Sequence, residues 1–402
     1  MASLAALIGP GFRIAEPLVP DRLLPSLAPR DLIRAAHATP DIAARAGLEQ
    51  LMAAVRAESK LTLFGKLALR WDILRLLRNA QKIHDAHAAN PALGQAPITA
   101  PVFILGLPRS GTTFLHTLMA QDPDSLVPRN WQTIYPGPRP PGFNPARNAR
   151  ARAVERQLRL YGQLAPGFDD MHPISADSPQ ECSEILAHVF QSLRFDATHR
   201  VPSYFAWLEA HGYDDGFAFH RRFLQFLQDG RPARWVLKCP DHTFTLDSIL
   251  KTYPDARFVV VHRNPIAVLS SVAHLTEVLR RPFLHNIDAG EIGAQVSERW
   301  IEGANRLLAF DHAAKVPQER KLNVQYDELV ADPLAMVARI YAQFGLPLSA
   351  VARAAMTALL NARPHGGYAR HSPYKLESFK LSLPALQARF APYVRQYCQG
   401  SR

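Results

Sequence analysis

Residues 101–121 read PVFILGLPRSGTTFLHTLMAQ, and this stretch decides the fold. Val102 to Leu105 form a short apolar run, as in a strand buried on both faces of a parallel sheet. A tight turn follows from Gly106 to Thr113. The next residues predict a helix with Phe114, Leu115, Leu118 and Met119 on one face and His116 and Gln121 off it. Asp122-Pro123 ends that helix. A strand, a glycine turn and a helix start together make an anion cradle. Successive backbone N–H groups and the positive helix end point at one spot, and glycine lets the anion approach closely. Gly106 and Gly111 have the G-x-x-x-x-G spacing of a Walker A loop, but Thr112 stands where the lysine should follow. That lysine serves the β/γ-phosphates and the next hydroxyl serves Mg²⁺, so its absence argues against a nucleoside triphosphatase. An ordinary βα turn is the bland alternative; Arg109, Ser110, Thr112 and Thr113 crowding one turn favour a phosphate site.

The rest of the chain bounds the possibilities. Its 402 residues, 48% hydrophobic and 20% charged, have room for a large core. A formal net charge of +11 and a pI of 9.8 suit an anionic ligand or an acidic surface, but the basic residues are scattered, which does not favour nucleic acid. Cys182, Cys239 and Cys398 lie far apart with no CxxC pair, which fits a reducing compartment and no zinc site. The opening MASLAALIGPGF lacks a basic n-region and reads as a poor signal peptide, and no apolar run reaches the ~18 residues that span a bilayer. The expectation is a soluble, cytoplasmic protein.

Residues 1–98 read as helical and carry no evident chemistry, a packing layer or a substrate wall. Trp131 to Pro145 is a proline-rich irregular loop, and Arg147 to Leu160 a strongly basic helix, read as a solvated face or a docking face for an acidic partner. Ser178-Pro179 with Glu181 predicts a capping box opening a helix over 178–194, which gives Glu181 a structural use beside a catalytic one. Tyr204, Phe205, Trp207 and Tyr213 serve core packing or apolar substrate contacts.

A second α/β unit begins at Arg234 to Lys238, with Asp241 as the predicted cap of the following helix. Arg257 to Val261 is another buried strand, ending in His262-Arg263-Asn264-Pro265, where Asn264 caps and Pro265 opens a helix. Arg263 therefore sits at the carboxyl edge of a parallel strand, where ligands of open α/β sheets bind. Ser271, nearly two turns past the cap, shares its helix face. A Walker B strand would end in Asp; this one ends in Arg, so the ligand is gripped by charge and not through a metal. Lys321 to Tyr326 is a last strand, followed by helix 333–344 ending at Gly345. The stretch from Arg363 to Lys380 is read as a loop.

Three segments together resemble the sulfotransferases that use 3′-phosphoadenosine 5′-phosphosulfate (PAPS), most closely a bacterial branch. PRSGTT at 108–113 is similar to the loop holding the 5′-phosphosulfate. Val260-Val261-His262-Arg263-Asn264-Pro265 with Ser271 is similar to the 3′-phosphate site, and Tyr326-Asp327-Glu328-Leu329 with Asp332-Pro333 to the segment whose tyrosine lies by the adenosine. The resemblance covers residues 100–348 best and implies an α/β, three-layer, P-loop-like fold with a central parallel sheet flanked by helices. An N-terminal helical extension (1–98) would precede the sulfotransferase domain (99–402). By position, it implies that Arg109, Ser110, Gly111, Thr112 and Thr113 hold the 5′-phosphosulfate, that Phe114 stacks near the adenine, that Arg263 and Ser271 bind the 3′-phosphate, and that Tyr326 lies by the adenosine. Lys238 matches the strand-end catalytic lysine.

The general base departs from the pattern, because only Gln132 stands where some relatives place a glutamate. His242, four residues past Lys238, has a side chain suited to deprotonating an alcohol near neutrality, with Glu181 and His172 as the other candidates. A hydrogen-bonded helix-start role for His242 is the alternative. The implied reaction is in-line sulfuryl transfer from PAPS to a hydroxyl, or an amine, of a small-molecule, lipid or glycan acceptor, with no metal. A P-loop-type kinase or nucleotidase and a non-catalytic nucleotide-binding protein are the competing classes. The sequence leaves open the acceptor, the oligomeric state, and whether the basic surface meets an acidic carrier or a membrane face.

Overall fold

The computed structural model describes residues 24–171, 173–231, 234–362 and 374–398. The readings of the first twelve residues, of His172 and of most of the loop over 363–380 lie outside them. In chain order run α1 (Leu63–Ala89), β1 (Val102–Leu105), α2 (Thr112–Met119), β2 (Ser125–Leu126), α3 (Ala149–Leu164), α4 (Cys182–Leu186), β3 (Arg234–Lys238), β4 (Arg257–His262), α5 (Ile266–Arg280), β5 (Lys321–Gln325), α6 (Tyr326–Ala331), α7 (Pro333–Gln343) and α8 (Leu383–Tyr397), with further helices between. The chain makes two compact units, one from residues up to 97, 128–231 and 276–287, the other from 98–127, 232–275 and 288 onward. It therefore passes between them five times, at 97/98, 127/128, 231/232, 275/276 and 287/288.

The second unit holds a five-stranded sheet of order β2-β3-β1-β4-β5, parallel throughout. Its three central strands carry continuous apolar runs, Val102–Leu105, Trp235–Leu237 and Phe258–Val261, because both faces are covered. Val102 and Ile104 of β1, Val259 and Val261 of β4 and Val324 of β5 share one core with Phe114, Leu115, Leu118 and Met119 of α2 and Met336, Val337 and Ile340 of α7. On the opposite face Phe103 meets Phe258, Tyr253 and His242. β1 is central, so the turn after it opens where the chain departs to β3 on one side and β4 on the other, at the carboxyl edge.

Local signals held where they concerned the strands. The two-residue β2 carried no sequence signal. Tyr326 is the first residue of α6 and not the last of β5. His116, expected off the apolar face of α2, is fully buried, and its Nε2 bonds the Val236 carbonyl at 3.1 Å. Asp241 caps no α-helix, because Pro240–Phe244 is a 3₁₀ turn.

In the first unit α1 is one 27-residue helix, capped by Thr62, whose hydroxyl accepts from the Gly65 N–H at 2.9 Å. Asp72 of α1 pairs with Arg75 and Arg194; burial pushes its carboxyl up, but the two guanidinium groups hold it well below the usual carboxylate range. The capping box at Ser178 does not form. The backbone of 176–180 pairs instead with 128–131, through Asn130 N–H to the Ser178 carbonyl at 3.0 Å and Gln180 N–H to the Pro128 carbonyl at 2.7 Å. Glu181 stands at the N-cap of the shorter α4 without a side-chain cap. Non-local pairing outcompetes a local cap worth ~1 kcal/mol.

His262, the last residue of β4, anchors the C-terminal helix. Its Nδ1 meets the Tyr393 hydroxyl at 2.8 Å, its Nε2 meets Asn323 Oδ1 at 3.0 Å, and its ring lies 3.9 Å from that of Tyr397. Burial lowers its pKa from 6.5 to about 4. The neutral ring accepts from Tyr393 and donates to Asn323; a charged ring would face Tyr393 with a second donor. The unfolded chain binds this proton near pH 6.5 and the fold does not, so stability is present above pH 6.5 and falls as the pH drops towards about 4. Denaturant unfolding at pH 7 and pH 5 should show a loss of about 2 kcal/mol from this ring, and His262→Gln should remove that part of the pH dependence. An unchanged dependence in the variant would contradict the assignment.

Candidate functional site

The turn after β1 cannot be built from ordinary residues. Gly106 has φ +147°, and a Cβ there would lie 2.5 Å from the Val261 carbonyl and 2.7 Å from Ser110 Oγ. Gly111 has φ +93° at the N-cap of α2, and a Cβ there would lie 2.9 Å from the Tyr326 ring. Arg109 between them is left-handed at φ +65° without being glycine, a conformation that costs about 1–2 kcal/mol. The turn closes tightly enough to aim its amides inward. Ser110 is buried, and its Oγ has no hydrogen-bond partner among the described residues. A glycine cradle with a buried, unmatched hydroxyl fits an oxyanion such as a phosphosulfate.

Two further segments converge on it. The Arg263 guanidinium lies 4.0 Å over the Tyr326 ring, and its Nη1 donates to the Arg109 carbonyl at 2.9 Å. The same Tyr326 ring covers Gly111. All three motifs singled out in the sequence thus meet within one compact unit. Asn264 Oδ1 accepts from the Ile266 N–H at 3.1 Å, so the predicted cap sets the start of α5 just after Arg263. Ser271 is buried on the second turn of that helix. On the other side of β1, Lys238 ends β3 with only 1% of its surface exposed, and its Nζ donates to Thr113 Oγ1 at 3.0 Å. Register explains the position: Lys238 pairs with Ile104, two residues before the turn.

Other candidates fall elsewhere. Phe114 is 5% exposed and packs from α2 into the core, which leaves little of its ring for an adenine contact. His242 is fully buried, edge-on to Phe103 at 5.1 Å, and would need its loop to open before acting as a base. Glu181 is partly exposed and belongs to the other compact unit. Tyr204 serves the core, its hydroxyl donating to the Phe190 carbonyl at 2.8 Å. The Lys238–Thr113 bond was not anticipated; nothing in the separate motifs signals it, since only strand register brings the two together.

Residues 101–350 match the model of the sulfotransferase family, and the chain belongs to that family. Among solved structures, the sulfotransferase STF1 of Mycobacterium tuberculosis is 30% identical with a TM-score of 0.79, covering 92% of this chain and 99% of that one. STF9 of Mycobacterium avium is 25% identical with a TM-score of 0.81, covering 94% and 98%. The omega-hydroxy-beta-dihydromenaquinone-9 sulfotransferase Stf3 of Mycobacterium tuberculosis is 24% identical over 272 residues, 61% of this chain; the match spans 63% of that relative's length. The five-stranded parallel sheet and these neighbours establish the P-loop-like α/β fold.

Tyr326 is the piece most open to test. Its ring, not its hydroxyl, touches Arg263 and Gly111, so Tyr326→Phe should keep the affinity for 3′-phosphoadenosine 5′-phosphate within about twofold. Tyr326→Leu removes a cation–π contact of ~0.7–2 kcal/mol and should weaken binding about threefold to thirtyfold by calorimetry. Equal effects of the two substitutions would contradict the ring's role.

Proposed function

We propose that the protein transfers the sulfuryl group of PAPS to an acceptor hydroxyl, releasing 3′-phosphoadenosine 5′-phosphate. The observation that carries this reading is the Arg263 guanidinium, held between the Tyr326 ring and the Arg109 carbonyl beside an anion cradle. It sets a second cationic site next to the first, as a nucleotide phosphorylated at both ends requires. The amides and hydroxyls of Arg109 to Thr113 would hold the 5′-phosphosulfate, Arg263 and Ser271 the 3′-phosphate, and Tyr326 the adenosine side. Bound PAPS supplies an activated sulfuryl group on a good leaving phosphate.

Lys238 then neutralises charge on the leaving phosphate. Thr113 holds its ammonium at the loop, and burial strengthens its field at that point. As in phosphoryl transfer, the protein positions and neutralises, and needs no covalent intermediate. For the acceptor's proton His242 and Glu181 are the candidates; a base must reach its substrate, and His242, with no exposed surface, could do so only once its turn opens. The acceptor class is a hydroxyl-bearing small molecule, lipid or glycan; the name of the Stf3 relative, which acts on an omega-hydroxy menaquinone, favours a lipid alcohol. A metal-dependent kinase and a non-catalytic binder are the competing readings.

With labelled PAPS and a lipid-alcohol acceptor, Lys238→Ala should lower turnover about a hundredfold or more while leaving calorimetric affinity for 3′-phosphoadenosine 5′-phosphate within about threefold. Unchanged turnover in Lys238→Ala would refute the assigned role, and absence of nucleotide binding in the wild type would refute the donor.

A further inference from the structure

The basic helix α3 and the long helix α1 leave an unusual surface on the first compact unit. Three of the most exposed large apolar residues of the described chain gather there: Leu67 (37% exposed) and Trp71 (48%) on α1, and Leu160 (46%) on α3. Phe64, Leu67 and Trp71 lie at i, i+3 and i+7, on one face of α1. The two helices run side by side: stacked rings join one end, Phe64 to Phe283 at 5.9 Å and Phe283 to Tyr161 at 6.2 Å, and at the other Lys82 of α1 and Arg150 of α3 both donate to the Pro136 carbonyl; Leu160 lies about 100° round α3 from Tyr161, towards solvent. His199 stacks on Phe283 from another side at 5.3 Å. The floor is rigid, because Thr62 N–H binds the Phe283 carbonyl at 2.8 Å and Gly65 leaves room for that backbone.

Charge flanks this strip on one helix and with one sign. Arg152, Arg156 and Arg159 are exposed on the same face of α3 as Leu160. The only acidic residue of α3, Glu155, turns away to accept the Ala176 N–H at 2.6 Å. Exposed Leu and Trp beside arginines on a helix face is the pattern of a segment lying in a membrane interface. There the apolar side chains enter the acyl boundary and the guanidinium groups meet lipid phosphates. A soluble acidic partner is the other occupant such a face could take; the one-signed row of arginines beside the apolar side chains favours lipid phosphates, and the test below separates the two.

We propose that this face docks the protein on an anionic lipid bilayer, with Leu67, Trp71 and Leu160 at the interface and Arg152, Arg156 and Arg159 on the phosphates. It is independent of the acceptor reading, since binding is measured without turnover.

The test is cosedimentation of the full chain with phosphatidylcholine vesicles and with vesicles part-substituted by phosphatidylglycerol. The wild type should bind the anionic vesicles, lose binding as salt rises, and bind neutral vesicles weakly. Arg156→Gln with Arg159→Gln should weaken anionic binding by about fivefold per arginine. Trp71→Ser with Leu160→Ser should weaken binding to both vesicle types, Leu67→Ser serving on the same strip if that pair fails to fold. Ile42→Ser, an exposed apolar residue outside the strip (89%), should change nothing. Unaltered affinity for 3′-phosphoadenosine 5′-phosphate in each variant guards against a folding defect and separates this outcome from failure of the donor reading. A wild type that stays in the supernatant, as an acidic-protein surface would leave it, overturns the proposal. So do strip variants that bind like the wild type, or a loss in Ile42→Ser as large as theirs.

Discussion

A single guanidinium ties the proposed donor site together. Arg263 reaches the carbonyl of Arg109, 154 residues away in the chain, and sits 4.0 Å over the ring of Tyr326, which in turn packs against Gly111. Three segments that are remote in sequence therefore share one set of contacts. A lysine could not replace it, because a point ammonium lacks the planar fork that stacks on a ring while donating in its own plane. A guanidinium has five N–H donors, and the carbonyl takes one. The remainder give the residue its capacity for a phosphate.

The contact depends on a turn that is costly to build. Arg109 takes a left-handed conformation, and both flanking glycines hold positive φ with no room for a Cβ. Such strain persists only where the surroundings over-determine it. Here they do: β1 is buried between β3 and β4, α2 is packed into the core, and the Arg263 bond takes up the carbonyl that the strained residue presents. The missing Walker lysine acquires a meaning in this frame. Under the proposed reading a donor without a γ-phosphate would leave that lysine nothing to grip, and Lys238 on the neighbouring strand, held at Thr113, would supply the cation instead.

Much of this was legible because it is local. Short apolar runs marked β1, β3 and β4, and Asn264-Pro265 marked the start of α5. What failed was decided by tertiary pairing. Ser178 carries a good cap signal, yet the backbone of 176–180 is taken by 128–131. Phe114 and His242 stand close to Thr113 and Lys238 in sequence, and the turn of α2 and the 3₁₀ turn over Pro240–Phe244 bury both rings. The interleaving of the two units is likewise invisible to local pattern, since it depends on which distant segments find each other. Side-chain type and motif spacing point to the proposed anion sites; only register shows that Lys238 meets Thr113.

The central claim is that Arg263 recognises the 3′-phosphate of the donor and not its remainder. Calorimetric titration of the wild type and Arg263→Ala with 3′-phosphoadenosine 5′-phosphate and with adenosine 5′-monophosphate isolates that pairing as a cycle between ligand and side chain. The account predicts that the substitution weakens the bisphosphate by tenfold or more, about 1.4 kcal/mol, and the monophosphate hardly at all. An equal loss for both ligands would contradict it.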